Sequence, residues 1–237
     1  MKYLNFDPAT QGAEDEEDIQ NSSEGLEQQL AMIEAKLAQI SSIAEPLQYA
    51  DFLLEQGLIQ LELQQLSEAY ETGQEAFTLF ANAEAWEGAV QACNIMFSSE
   101  QPKSLTALGN GVWLAVTFPI DPELSIVMLE HIVDDTPDDS DGGAIAAATA
   151  HYIADLRLEE GSTRENLLFF TNQLLAKVAR RHGQVENQTD FEIWFKKLEL
   201  DAPKDFLGRL AQILEVMVQD DWWIDRDALR AGLPLAH

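Results

Sequence analysis

From Leu26 onward the chain repeats one pattern: apolar residues stepping by three and four, interrupted by short polar turns. Leu26, Leu30, Ile33, Leu37, Ile40 and Ala44 step by 4, 3, 4, 3 and 4. That period puts all six on one face of a helix. The stripe is about two and a half heptads long, short of the three to four a coiled coil sustains. It predicts an amphipathic helix packed inside the protein or, as the alternative, a homodimer through residues 26–44. Pro46 ends this helix, because proline lacks the N–H and its predecessor is pushed out of the helical region.

The same period continues to the end. Leu47, Ala50, Leu54, Leu58 and Leu61 form one face. Ser67–Phe80 and Ala83–Phe97 read as two more helices. Residues 104–118 carry Val112, Trp113, Val116 and Phe118, which suit a strand. No partner strand is evident, so a helix is expected there too. Asp121-Pro122-Glu123 is a helix start, with a capping Asp, Pro at the first position and an acid in the first turn. Ala144–Glu160 is alanine-rich, which suits close helix approach. Ser162 and Glu165 read as a capping box, and Gly183 as the stop of that helix. Three further helices are expected over 191–200, 203–218 and 222–231. The sum is an all-α chain of about ten helices, stacked as antiparallel hairpins in a repeat-like solenoid or an irregular helical bundle.

Organisation follows from the charge. The 237 residues carry a formal charge of −28, and residues 1–150 hold 27 acids against Lys2, Lys36 and Lys103. Glu14-Asp15-Glu16-Glu17-Asp18 is an unbroken acidic run, so residues 1–24 read as a disordered acidic tail. Tyr3, Leu4 and Phe6 precede it as a cluster that either docks or forms a loose end. Residues 25–237 read as one helical domain, with a subdivision near 120. So acidic a surface repels phosphate backbones and anionic membranes, which excludes nucleic acid and membrane as expected partners. No apolar run reaches the roughly 18 residues of a membrane helix. A cytoplasmic location is expected. One cysteine, Cys93, forms no internal disulfide; among apolar neighbours it reads as a packed thiol.

Five aspartates, Asp134, Asp135, Asp138, Asp139 and Asp141, fall within eight positions. Burying unpaired carboxylates costs several kcal/mol each, so the loop is expected in water. There it is either solvated surface or the first contact of a basic partner protein. Read as a calcium loop with Gly142 at position 6, it has Pro137 at position 1 and Ala148 at position 12, so both anchoring ligands fail. His131 with Asp135, and His151 with Asp155, are i,i+4 pairs that could jointly hold a metal if their helices were neighbours. Trp222 and Trp223 point about 100° apart on a helix. One is core and the other a binding surface, or both cap a terminal helix pair. Neither a phosphate-binding glycine loop nor a Gly-x-Ser-x-Gly elbow occurs, so no cofactor or catalytic residue is assigned.

Gly57, Leu66, Ala69 and Ala76 in GLIQLELQQLSEAYETGQEA resemble one tetratricopeptide repeat, over about residues 47–80, and Leu108-Gly109-Asn110 resembles the start of another over 105–113. Thirty-four residues after Gly57, Ala69 and Ala76 stand Gln91, Lys103 and Asn110, which do not fit. The resemblance implies stacked hairpins whose groove binds another protein, as in adaptors and assembly chaperones. The leading expectation is thus a non-catalytic interaction protein that meets a basic partner through an acidic surface. The alternatives are a helical metal-dependent enzyme on the two His–Asp pairs and a structural oligomer through the 26–44 stripe.

Overall fold

A computed structural model describes residues 16–233, with side chains from residue 23. Tyr3, Leu4, Phe6 and the start of the acidic run lie outside the described residues. Eleven helices and no strand occur among those described: α1 (Glu16–Leu37), α2 (Pro46–Glu62), α3 (Leu66–Asn82), α4 (Trp86–Ser98), α5 (Ser104–Thr117), α6 (Pro122–Asp135), α7 (Asp141–Arg157), α8 (Ser162–Gly183), α9 (Gln188–Lys197), α10 (Pro203–Val218) and α11 (Arg226–Gly232).

Each helix from α1 to α8 packs on the next, as successive hairpins. The even-numbered helices α2, α4, α6 and α8 also touch in series. On the opposite side α10 packs against both α5 and α7. The starts of α2, α4, α6 and α8 lie 36 to 40 residues apart, longer and less regular than a 34-residue repeat. Small residues set the spacing of the first hairpins. Gly57, Ala69, Gly73, Ala76 and Ala92 are all buried at these contacts. A Cβ on Gly57 would stand 3.0 Å from Ile95, and one on Gly73 2.9 Å from Met96.

Helix α5 is the centre of the fold. Every residue from Ala107 to Ala115 is buried, because α4, α6 and α10 enclose it. Its β-branched residues would suit a strand, but burial on every side makes an all-round apolar helix stable. A Cβ on Gly109 would stand 2.3 Å from Val218 of α10, and one on Gly111 2.5 Å from Met128 of α6 and 2.7 Å from Cys93 of α4. Cys93 is fully buried, and burial pushes its thiol pKa up. Arg157, at the end of α7, closes the C-terminus of α5. It donates to the carbonyls of Ala115 at 2.9 Å, Val116 at 3.0 Å and Ile120 at 3.2 Å, and to Ser125 Oγ at 3.1 Å.

Several boundaries differ from the sequence expectation. Helix α1 begins at Glu16, inside the stretch read as disordered tail; the helix dipole offsets part of the repulsion within an acidic first turn. It ends at Leu37 rather than near Ala44, because Ser41 Oγ accepts the N–H groups of Ile43 and Ala44 and holds a turn. Pro46 therefore opens α2 instead of closing α1. The Ser162–Glu165 capping box does not form: Gly161, at φ 154°, occupies the cap position. Gly183 is not the αL stop of α8; Gln184 is, at φ 52°. Gly183 instead makes room for Trp194, whose Cδ1 would lie 2.5 Å from an added Cβ. The segment from Asp221 to Asp225 is not helical, so Trp222 and Trp223 sit in a loop before α11.

Candidate functional site

The five aspartates are exposed, as their charge requires. They are not all free. Helix α8 ends in Lys177, Arg180, Arg181 and His182, and three of these reach the loop. Lys177 Nζ lies 2.7 Å from Asp134, Arg181 Nη1 3.7 Å from Asp138, and His182 Nε2 3.0 Å from Asp141. Arg181 also donates to the carbonyl of Val133, at the end of α6. Trp194 donates its indole N–H to His182 Nδ1 at 3.0 Å. Nδ1 is then the lone-pair nitrogen and Nε2 carries the proton offered to Asp141. Asp135 and Asp139 have no cation at ion-pair distance among the described residues. Much of the loop's charge is therefore spent inside the chain, fastening α6 and α7 to α8.

Trp222 and Trp223 are both half-buried and face different neighbours. Trp222 stacks under the Arg226 guanidinium at 3.5 Å, donates to Glu215 at 3.3 Å and meets Trp113 edge-on at 6.5 Å. Trp223 lies edge-on to Phe77 of α3 at 5.2 Å, and its backbone N–H donates to Asn110. The pair locks the C-terminal loop onto α3, α5 and α10.

The two histidines do not converge. His131 bonds Asn94 of α4 through Nε2 at 2.7 Å, and His151 bonds Thr171 of α8 through Nδ1 at 2.9 Å. Asp155 pairs with Arg164. Burial holds both imidazoles below the ordinary 6.5, partly offset by Asp135 at His131 and by Asp155 at His151. Among the described residues no group of three or more His, Cys, Asp or Glu side chains could hold a metal ion. The four-ligand centre of the enzyme alternative is not assembled.

A different acidic site emerges from the packing of α1, α2 and α3. A cleft of about 410 Å³ lies between them. Glu34 lines it from α1, Tyr49, Gln56 and Gln60 from α2, and Glu68, Glu71 and Glu75 from α3. The three α3 glutamates recur at i, i+3 and i+7, so they share one face. Burial and the charge of Glu75 both raise the Tyr49 hydroxyl pKa. Gln60 is 5% exposed, and its Oε1 has no hydrogen-bond partner. Between residues 23 and 100 stand thirteen acids and one base, Lys36. The Lys36 ammonium sits over the Phe52 ring at 5.0 Å. Among the described residues no ion pair involves an acid of this segment. The near-absence of lysine and arginine over α1–α4 is the sequence signal for this cleft.

No helix among the described residues is long and apolar enough to cross a membrane. No family model matches this chain, and neither a curated protein sequence nor a solved structure matches it.

Proposed function

We propose that this protein is a non-catalytic, repeat-like helical binding protein, an adaptor or assembly chaperone, whose partner is a basic protein. The observation that carries the reading is the contrast between its two acidic regions. The aspartate loop has cations of its own from α8, whereas the acids between residues 23 and 100 have none at ion-pair distance among the described residues. Uncompensated acids on one face repel one another, and a basic surface relieves that repulsion while gaining speed from long-range attraction. Half-open hairpin stacks also present extended surfaces suited to protein partners.

The test is affinity capture from the native host, using the full chain as bait, with graded salt elution and mass spectrometry. The expected result is one or a few proteins with strongly basic surfaces, released as ionic strength rises. Retained proteins no more basic than the lysate, or retention indifferent to salt, would contradict the reading.

A further inference from the structure

The cleft between α1, α2 and α3 pairs two independent features. One is charge: Glu34, Glu68, Glu71 and Glu75 surround it, with no cation of the described chain at ion-pair distance from them. The other is the Gln60 side chain. Its Oε1 is a buried acceptor with no donor, and the residue is 95% removed from solvent while lining the cleft. A buried acceptor without a donor forfeits its hydrogen bonds to water and gains none in return. An apolar residue of similar size would avoid that cost, so the group is intelligible as half of an interaction whose other half is absent.

The two features select the same ligand chemistry. An acceptor wants an N–H or O–H donor. The surrounding carboxylates favour a donor that is cationic and disfavour an anion. A lysine ammonium or arginine guanidinium meets both, with donors to spare for the rim after Gln60 is satisfied. A cleft of about 410 Å³ has room for such a side chain, whose aliphatic stem would lie along Leu37 and Leu53 on the cleft wall.

We propose that this cleft is the docking pocket for a lysine or arginine side chain presented by a basic segment of a partner protein, with Gln60 Oε1 accepting from its charged head and Glu68, Glu71 and Glu75 compensating its charge. This deepens the binding-protein reading and rests on it.

The test uses the full chain and the synthetic peptide Ac-Gly-Ser-Arg-Gly-Arg-Ser-Gly-NH2, with the same peptide carrying neutral citrulline in place of arginine as control. Binding is followed by calorimetry in low salt, and the Gln60 side-chain amide by nitrogen-15 NMR. The arginine peptide is expected to bind and to shift the Gln60 amide, and the citrulline peptide to do neither. Gln60→Leu is expected to weaken binding about tenfold, the scale of a charge-assisted hydrogen bond, while melting no lower than the wild type. Glu68→Gln/Glu71→Gln/Glu75→Gln changes only exposed side chains, so it keeps the test decisive if Gln60→Leu misfolds; it should weaken binding at least as much. Arginine-peptide binding that both variants retain at wild-type affinity would overturn the pocket while leaving a basic partner in place. An arginine peptide that binds the wild type no better than its citrulline control would overturn the pocket, while salt-graded capture from the host decides the binding-protein reading separately.

Discussion

Asn110 accepts the backbone N–H of Trp223 at 3.1 Å, across 113 residues of chain. Its Nδ2 donates to the carbonyl of Thr106 at 3.0 Å, so this fully buried amide has work for both ends. The bond fixes the loop after α10 onto the central helix. Asn110→Ala would leave the Trp223 N–H without its acceptor and open a small void. We expect a loss of about 1–3 kcal/mol of stability, with a changed tryptophan emission as Trp223 loosens from Phe77. Chemical denaturation followed by fluorescence checks both; a wild-type midpoint would show that the bond contributes nothing.

The glycine on one side of Asn110 sets how close α10 can come. Gly109→Ala would force a Cβ to within 2.3 Å of Val218 Cγ2, and overpacking of this kind costs about 1–3 kcal/mol. Gly208, on α10 itself, has nothing within 4 Å of an added Cβ. Gly208→Ala should therefore stabilise by up to about 1 kcal/mol through helix propensity alone. Opposite signs for two Gly-to-Ala changes at one helix pair are the expected result, read from urea midpoints.

Several turns close with residues that lack glycine's freedom. Gln64, Glu84 and Glu100 all take φ near 55°, at 57°, 53° and 53°. At Gln64 and Glu84 the flanking bonds complete a Schellman pattern: Gln65 N–H to Gln60 O at 2.8 Å, and Ala85 N–H to Phe80 O at 2.9 Å. Left-handed geometry costs a non-glycine residue about 1–2 kcal/mol, offset partly by glycine's greater freedom when unfolded. Glu84→Gly is predicted to raise stability by a few tenths to about 1 kcal/mol, measured as a higher melting temperature. A lower one would mean that the glutamate side chain contributes more than its backbone strain costs.

The two half-buried histidines, His131 and His151, give the stability a pH dependence. Both folded-state pKa values lie below 6.5, mainly through burial. The unfolded chain therefore takes up these protons first as pH falls. Their contribution is fully present above pH 6.5 and is lost progressively as pH drops through the folded values. Glu130 runs the other way, its pKa raised by burial and by Asp134, and acts at lower pH, from about 4.5 upward. We expect the melting temperature of His131→Gln/His151→Gln, compared with wild type, to fall less between pH 7.5 and pH 5.5. Parallel curves would show that the histidines are protonated in the fold without penalty.

The helical class was readable because a three-and-four apolar step recurs along the chain; α5, apolar all round, carries no such step, and only the lack of a partner strand pointed to helix there. Asp121 shows where local chemistry sufficed: its carboxylate accepts the Glu123 N–H at 2.8 Å, as its position before Pro122 implied. Boundaries failed where a turn used an unexpected residue, as at Gln184, or where a glycine served packing, as at Gly183 beside Trp194. The aspartate loop was correctly placed in water, but its pairing with Lys177, Arg181 and His182 crosses about forty residues, a distance no local pattern reports. The α1–α3 cleft was missed for the same reason. Glu34, Gln60 and Glu75 carry no signal in their own helices and come to line one cleft only when three helices pack.

Two triple variants separate the two acidic regions. Asp134→Asn/Asp138→Asn/Asp141→Asn and Glu68→Gln/Glu71→Gln/Glu75→Gln remove the same formal charge from the loop and from α3. Stopped-flow association with the arginine peptide, at low salt and again at high salt, separates local steering from net charge, since steering fades within a Debye length of about 10 Å at 0.1 M. The α3 variant is expected to associate markedly more slowly than the loop variant at low salt, and the two to converge at high salt. Equal slowing by both, or greater slowing by the loop variant, would contradict docking at the α1–α3 cleft.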